Sequence, residues 1–306
     1  MQGAEFEQVY DFGNLYAGFL KARRGKRHKP SVAKFEANLL EALCLLSEML
    51  KTKTYRPSDY FVFKVYEPKE RIVMTNAFKD KVVQHSLCDN ILEPAFSKAF
   101  IRDNYASQSG RGTHDGLYRL EEFMRSYYIV DSTENPGIPI GNQTSQWFAV
   151  MYLSGMDHFI KEKLGIRYYG RYMDDFYLIH EDKAYLQYCR GEIEQYVARL
   201  GLRMNKKTNI FPLRNGIDFL GFHTYLTESG KIIRKVRRSS KCNAQRKLKK
   251  QRGLLDREKI SLSDIEQSYG SWRSHAVKGN CYHLIQKTDS LFQNLFKESE
   301  KQWPKV

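Results

Sequence analysis

Two adjacent aspartates are the residues of this sequence with the clearest capacity for chemistry. Asp174 and Asp175 lie between Tyr172 and Phe176, at the junction of two runs rich in β-branched and aromatic residues. Because aspartate is depleted in strands and favoured in turns, the pair is predicted at the tip of a β-hairpin. Neighbouring carboxylates repel each other unless a cation neutralises them, and Mg²⁺ binds carboxylate and phosphate oxygens. The pattern therefore predicts a magnesium site, and a solvated turn is the alternative that the dipeptide alone leaves open.

The charge of the chain favours a phosphate-rich partner. Its 306 residues include 50 Lys and Arg against 35 Asp and Glu, a formal net charge of +15, which is typical of a nucleic-acid-binding surface. Eleven of the cations and no acid lie between Lys231 and Arg252. This run is predicted to follow a nucleic-acid backbone, with a solvated charged face as the alternative. The candidate nucleic-acid-binding residues are Arg111, Arg237, Arg238, Lys241, Arg246, Lys247, Lys249 and Lys250.

Several classes of protein are disfavoured by the composition. The five cysteines are far apart and include no CxxC pair, which argues against a structural zinc site and against a secreted disulfide scaffold. No run approaches 18 apolar residues, and the first ten residues carry two glutamates where a secretion signal would be basic and then apolar. We expect a soluble cytoplasmic protein with no membrane partner.

The elements that must position the aspartates follow from the spacing of apolar residues. Helices are predicted over residues 30–50, 78–92, 145–164 and 186–200. A hairpin is predicted over 60–73 and further strands over 166–179, 202–210, 216–222 and 231–233. This alternation without internal repeats predicts a mixed α+β fold.

Six ordered blocks of the sequence resemble motifs of the reverse transcriptase family. Arg171–Phe176 resembles the YxDD catalytic hairpin, and residues 137–146 resemble the loop and helix start that hold template and nucleotide. The other four blocks are residues 69–85, 102–114, 202–208 and 219–222, the last resembling the primer grip. Within the family, the sequence is most similar to bacterial enzymes of diversity-generating retroelements, and next to those of group II introns.

The resemblance implies a right-hand polymerase fold with three parts. Residues 1–115 would form fingers with a basic N-terminal segment, residues 116–228 a shortened palm with the YMDD hairpin at 172–175, and residues 229–306 a basic helical thumb. Tyr269 and Trp272 would face either the nucleic acid or the thumb core.

The resemblance also implies an activity, RNA-directed DNA synthesis with Mg²⁺, in which Asp174 and Asp175 are catalytic metal ligands. Lys69 and Arg71 would hold the triphosphate, or else only decorate a hairpin edge. Implied partners are template RNA, a primer or cDNA, deoxynucleoside triphosphates and a small basic accessory protein. The remaining nucleotide-binding candidates are Gly141, Ser145, Gln146 and Lys207, where Ser145 has the alternative role of a helix N-cap and Lys207 that of a solvated lysine.

One motif of the family is missing from its expected place. Reverse transcriptases carry a third aspartate on a palm strand, well upstream of the block that begins here at Gly137, whereas only residues 115–136 separate this block from the preceding one. We therefore expect the palm strand to be absent and its neighbours in the sheet to be unpaired. Asp131 follows a strand-like run but lies only six residues before Gly137. A catalytically inactive RNA-binding derivative and a template-independent DNA polymerase are the alternative functions.

Overall fold

The structure is a computed structural model that describes residues 3–65, 71–124, 128–131, 142–205 and 208–297, and only the backbone of 3–4, 71 and 128–131. The described part is a mixture of helices and strands, with three separate antiparallel sheets. None of its helices is both long enough and apolar enough to cross a bilayer. The α+β class predicted from the sequence is thus confirmed at this coarse level.

The N-terminal region is a helical layer with a projecting hairpin. Its core consists of apolar side chains from several helices, among them Leu15, Phe19, Leu43 and Val82. The hairpin pairs β1 (Phe61–Val65) with β2 (Arg71–Thr75) as predicted, although Phe61, Val62 and Phe63 are exposed. The helices are α1 (Gly3–Tyr10), α2 (Phe12–Arg23), α3 (Pro30–Ala37), α4 (Leu39–Lys51), α5 (Phe78–Leu87) and, after a π-helical turn over Cys88–Leu92, α6 (Glu93–Phe96).

The central region contains a four-stranded antiparallel sheet packed against helices. Leu186, Cys189, Ile193 and Val197 lie on one stripe of α10 and bury it against the sheet. The strands are β3 (Tyr128–Asp131), β4 (Tyr168–Tyr172), β5 (Asp175–His180) and β6 (Ile210–Phe211), in the order β4-β5-β3-β6. The helices are α7 (Thr113–Phe123), α8 (Gln143–Tyr152), α9 (Ser154–His158), which continues as a π-helical turn over Phe159–Lys163, and α10 (Lys183–Arg199).

The C-terminal region joins a small sheet to three long helices. Ser261 caps α12 because its side-chain oxygen accepts from the Asp264 amide, while the Asp264 carboxylate accepts from the Ser261 amide. The strands are β7 (Ile217–Phe219), β8 (Phe222–Leu226) and β9 (Ile232–Val236), and the helices are α11 (Arg238–Leu255), α12 (Leu262–Ala276) and α13 (Tyr282–Leu295).

Two predicted helices are interrupted in the structure. The helix over 30–50 breaks at Asn38, whose φ of −117° and ψ of 37° are not helical. The helix over 145–164 begins earlier, at Gln143, and divides at Leu153, next to Ser154, whose hydroxyl donates to the Met151 carbonyl. Periodicity alone does not reveal such breaks, because the apolar stripe continues across them. Within 202–210, only Ile210 belongs to a strand among the residues described.

The expectation that the palm strand is absent was wrong. Strand β3 pairs antiparallel with β5 on one side and with β6 on the other. Four residues of an apolar, β-branched run are enough to fill this place in the sheet, so neither neighbouring strand is left unpaired along β3.

Candidate metal and nucleic-acid site

The two aspartates lie at the tip of the β4-β5 hairpin, as predicted. Tyr172 and Asp175 form the last cross-strand pair, so Met173 and Asp174 make a two-residue turn. Met173 has a φ of 56°, in the left-handed region that disfavours side chains with a Cβ. Both carboxylates are exposed. The turn therefore presents two carboxylates to solvent on a backbone that other groups must hold in place.

A fully buried guanidinium lies directly behind this turn. Arg171 donates from Nε and Nη2 to the two carboxylate oxygens of Asp157, both at 2.6 Å. Its Nη1 donates to the Met173 carbonyl at 2.8 Å, and Nη2 also donates to the Val150 carbonyl at 3.1 Å. Burial opposes the charge of Arg171, but the adjacent Asp157 carboxylate outweighs it, so the pKa of Arg171 is raised. The group remains a cation inside the protein.

A second buried carboxylate belongs to Asp103, whose backbone carbonyl accepts a hydrogen bond from the Arg171 amide of the hairpin. Asp103 accepts from Lys161 Nζ at 2.8 Å, from Arg119 Nε at 3.0 Å and from the Tyr105 hydroxyl at 2.9 Å. Burial alone would raise the pKa of Asp103, but these three donors, Lys161 above all, hold it below its ordinary value. Asp103 is therefore an ionised structural carboxylate.

Strand β3 ends beside the hairpin tip. Its register aligns Asp131 with Tyr177, two residues along β5 from Asp175. The backbone of Asp131 thus lies at the same end of the sheet as the two tip carboxylates. Among the described side chains, which do not include that of Asp131, no three His, Cys, Asp or Glu residues are grouped as metal ligands. The two exposed carboxylates fit Mg²⁺, which is commonly held by one or two carboxylates with water and phosphate oxygens.

The predicted nucleotide-binding residues are described unevenly. Lys69, Gly141 and Lys207 lie outside the described residues, and of Arg71 the structure gives only the backbone, paired with Val65 at one end of β2. Ser145 is half-buried in the first turn of α8 and Gln146 is exposed beside it. The N-cap of α8 is Asn142, so the alternative in which Ser145 caps the helix was wrong.

Arg111 is engaged with its own loop. Its Nη1 lies 3.1 Å from the Arg102 carbonyl and 3.4 Å from Gln108 Oε1. The side chain thus closes the segment between the N-terminal region and α7, and part of its donor capacity is used within the protein.

The basic run is not a uniform surface, because one of its arginines is buried. Arg234 is 4% exposed, donates from Nε to Glu121 at 2.9 Å and lies over the Tyr118 and Phe222 rings. It joins β9 to α7 and is structural. Lys247 is half-buried, and the exposed cations of the predicted set are Arg237, Arg238, Lys241, Arg246, Lys249 and Lys250.

These exposed cations divide between two faces of α11. Arg237, Arg246 and Lys250 line a groove of about 690 Å³ between α11 and α12, whereas Arg238, Lys241 and Lys249 do not line it. The groove is also lined by Gly221, Ser268, Tyr269 and Trp272. Aromatic rings beside cations suit contact with a nucleic acid. Trp272 is half-buried, stacks on Tyr269 and donates to Ser240 Oγ at 3.3 Å, so it belongs both to the core and to the groove wall.

The turn between β7 and β8 is docked on α12 at one end of this groove. Gly221 has a φ of 87°, and a Cβ there would lie 2.8 Å from His275 Nε2. His275 also packs on Phe222, with ring centroids 4.3 Å apart. Burial first, and then the charges of His114 and Arg237, lower the pKa of His275. His275 is therefore a structural histidine that is held neutral.

Sequence reasoning missed the residues that support the tip. Asp103 and Asp157 are remote from the hairpin in sequence, and the importance of Arg171 was not recognised. A signal was present: Asp157 lies next to Met156 within a stripe of buried apolar residues, where an acidic residue requires a partner.

Comparison with known proteins identifies a similarity in structure and none in sequence family. No protein-family model matches the sequence, and no curated protein does. Among solved structures, the chain is similar to a foamy viral protease-reverse transcriptase in complex with double-stranded DNA, with a TM-score of 0.37 and 15% sequence identity. The alignment covers 88% of this chain and 48% of that chain, so this chain spans about half the length of that protein. A TM-score of 0.37 does not establish a common fold.

Proposed function

We propose that this protein is an RNA-directed DNA polymerase of the reverse transcriptase type that extends a primer 3′ end with the aid of Mg²⁺. The observation that carries the proposal is the exposed Asp174-Asp175 pair on a hairpin tip backed by buried Arg171. Its support from the sequence is the order of the six reverse transcriptase motifs. Its electrostatic support is the basic groove between α11 and α12.

In the proposed reaction, the primer 3′ hydroxyl loses its proton to water and its oxygen bonds to the α-phosphorus of a deoxynucleoside triphosphate. The bond from that phosphorus to the departing pyrophosphate breaks. Mg²⁺ bound by Asp174 and Asp175 would supply charge neutralisation and a more acidic primer hydroxyl. Arg71 and Lys69 would bind the triphosphate, Ser145 and Gln146 would contact nucleotide or template beside Gly141, and Lys207 would donate a proton to the pyrophosphate.

We further propose that Asp131 supplies the third carboxylate of the site. The pairing of β3 with β5 supports this role, because it brings the Asp131 backbone to the end of the sheet that carries the tip. The sequence argued against Asp131 only through its distance from Gly137, and a strand that pairs beside the hairpin weakens that objection.

The proposed division of labour follows the three regions of the chain. Residues 1–115 would act as fingers, 116–228 as palm and 229–306 as thumb, with the groove cations Arg237, Arg246 and Lys250 contacting phosphates of an RNA-primer duplex. A bacterial retroelement of the diversity-generating type, with its template RNA and a small basic accessory protein, is the proposed setting.

Primer extension on an RNA template tests the proposal directly. With Mg²⁺ and four deoxynucleotides, the wild type should extend the primer, and the Asp174→Asn, Asp175→Asn double variant should lose about a thousandfold or more in rate. Asp131→Asn should cause a comparable loss if it is the third ligand. Glu181→Gln, an exposed acid at the opposite end of β5, is the matched control and should leave the rate unchanged.

A second candidate function is that of an RNA-binding protein without polymerase activity. It is favoured by the short interval of residues 115–136 between two of the resembling blocks, where the reverse transcriptase family has a longer palm segment. Salt-sensitive RNA binding without extension in the wild type would establish it. Extension in the absence of template would instead point to template-independent DNA synthesis.

A further inference from the structure

The buried guanidinium behind the hairpin tip contacts three separate segments of the chain. Arg171 makes four hydrogen bonds: two to the Asp157 side chain in α9, one to the Val150 carbonyl in the last turn of α8, and one to the Met173 carbonyl in the turn. The first turn of the same α8 carries Ser145 and Gln146. We propose that Arg171 is a positioning residue that fixes the Asp174-Asp175 turn relative to α8. The proposal deepens the polymerase function proposed above, since that function makes the turn a metal site.

The conformation of the turn explains why an external hold is needed. Met173 is not glycine, and a left-handed φ of 56° is unfavourable for a residue with a Cβ, so the hairpin does not favour this turn by itself. The carbonyl that follows this φ is the one that accepts from Arg171 Nη1 at 2.8 Å. The hydrogen bond thus acts on the residue directly before Asp174.

The guanidinium itself has little freedom to move. Asp157 also accepts from the Tyr169 hydroxyl at 2.6 Å, so both carboxylate oxygens are fixed within the core. The Arg171 amide donates to the Asp103 carbonyl and its carbonyl accepts from the Tyr105 amide, each at 3.0 Å. The backbone and the side chain of Arg171 are therefore held by different segments of the chain, which makes the group a fixed reference for the turn.

Lysine cannot replace arginine in this arrangement. A planar guanidinium can bind a carboxylate through two parallel hydrogen bonds and still direct donors to other acceptors, whereas an ammonium is a single point of donation. Arg171→Lys keeps the charge opposite Asp157 and removes the fork. The substitution thus separates the positioning of the turn from the neutralisation of a buried carboxylate.

Arg234→Lys is the matched control. Arg234 is also a buried arginine that donates to a carboxylate, Glu121, and to a carbonyl, that of Lys278, but none of its hydrogen bonds reaches the hairpin. A purely structural role predicts that the two lysine variants perturb the protein in the same general way. A positioning role predicts a local effect at the tip in Arg171→Lys alone.

Amide hydrogen exchange and Mn²⁺ binding form the test. We expect exchange at residues 172–176 to be at least tenfold faster in Arg171→Lys than in wild type, with no change there in Arg234→Lys. We expect Mn²⁺ affinity, measured by electron paramagnetic resonance, to fall about tenfold in Arg171→Lys and to be lost in Asp174→Asn, Asp175→Asn. Unchanged exchange at the tip, or equal acceleration in both lysine variants, would overturn the proposal.

The positioning role of Arg171 and the polymerase function are distinguished by different outcomes of these experiments. If wild type binds no Mn²⁺ and extends no primer, but tip exchange responds to Arg171→Lys alone, the positioning role stands and the polymerase proposal falls. If wild type extends primers and tip exchange does not respond, the positioning role falls and the polymerase proposal stands. Should Arg171→Lys not fold, the same comparison with Tyr169→Phe decides the question, because this variant removes the Tyr169 hydroxyl from Asp157 and keeps both members of the buried ion pair.

Discussion

Arginine side chains have opposite environments in the central region and along helix α11. Arg171 is fully buried and bound to Asp157, whereas Arg237, Arg238 and Arg246 are exposed on a helix with few acids. Buried charges act at short range and are insensitive to salt, while exposed charges attract phosphates over about a Debye length. Burial and partner, rather than residue type, therefore decide whether an arginine is fixed within the core or remains exposed to solvent.

The largest expected effect is on the buried side of this comparison. Asp157→Ala leaves the Arg171 cation buried without its carboxylate, and the loss of one partner of a buried ion pair destabilises proteins by about 3–5 kcal/mol. We expect a loss of this size in the free energy of unfolding, measured with urea. A loss under about 1 kcal/mol would show that the buried pair contributes little to folding.

The second-largest expected effect concerns the exposed cations along α11, which divide between a groove-lining face and a second face. Replacing the groove-lining residues Arg237, Arg246 and Lys250 by Gln should lower the salt slope of RNA binding by about two to three, because each phosphate contact contributes roughly 0.7–0.9. Stability should change by less than about 0.5 kcal/mol, since these side chains are exposed. Fluorescence anisotropy over a salt series measures the slope.

The matched control lies on the same helix. Arg238, Lys241 and Lys249 carry the same total charge but do not line the groove. Their replacement by Gln should change the slope clearly less than replacement of the groove-lining set. Equal slopes for the two triple variants would mean that the total charge of α11, and not the position of each cation relative to the groove, determines RNA binding.

A smaller effect is expected where the β7-β8 turn meets α12. Gly221→Ala combines a left-handed φ with a Cβ placed 2.8 Å from His275 Nε2, so we expect a destabilisation of about 1–3 kcal/mol. Gly230→Ala is the control, because Gly230 also has a positive φ but nothing lies within 4 Å of its Cβ position. The thermal midpoint should fall further for Gly221→Ala, and equal shifts would exclude a role for the His275 contact.

The smallest expected effects concern the pH dependence of stability. They differ between His275 in the C-terminal region and Asp103 beside the central sheet. The pKa of His275 is lowered below 6.5 by burial and by the charges of His114 and Arg237. The unfolded chain therefore binds more protons just below pH 6.5, and stability should fall as the pH drops through this window. His275→Gln should flatten this part of the profile. His85→Gln, at a histidine whose pKa burial also lowers, serves as a comparison in the N-terminal region.

The stability that depends on Asp103 should be lost at a lower pH than the stability that depends on His275. Because the pKa of Asp103 is held below its ordinary value of 3.8, mainly by Lys161 against the effect of burial, the stability from this carboxylate is present above pH 3.8 and is lost as the pH falls through its folded-state pKa. Asp103→Asn should remove this acid-side decline in urea titrations. A decline that persists unchanged in the variant would assign it to other carboxylates.

The sequence predicted local features well and long-range support poorly. The hairpin tip at Asp174 and Asp175 followed from turn propensity, and the stripe of α10 followed from the spacing of Leu186, Cys189, Ile193 and Val197. These features depend on neighbours in the sequence. The pairing of Arg171 with Asp157 joins residues 14 positions apart across a strand and a helix, and no pattern of apolar residues encodes it.

For strand β3, the local conformation was predicted but its place in the sheet was not. Its residues were read as strand-like but were not assigned to the sheet, because Asp131 lies only six residues before Gly137, closer than the catalytic strand of reverse transcriptases lies to the corresponding block. Backbone hydrogen bonding explains the pairing of β3 with β5 and β6. A vacant position between β5 and β6 would leave amides and carbonyls unsatisfied, so a short β-branched run that can reach this position is favoured there. For the same reason, the sequence did not place the Asp131 backbone at the end of the sheet that carries the hairpin tip.

The bridge between Asn104 and Arg171 has a consequence for solubility. Strand β4 is the edge of the central sheet, and an open edge invites pairing with a second molecule. Residues 103–105 occupy the hairpin-tip end of that edge through two backbone hydrogen bonds to Arg171, the fourth of the five residues of β4. The segment that steadies the hairpin from outside therefore also blocks the sheet from growing by one strand, and its loosening would expose an aggregation-prone edge next to the site.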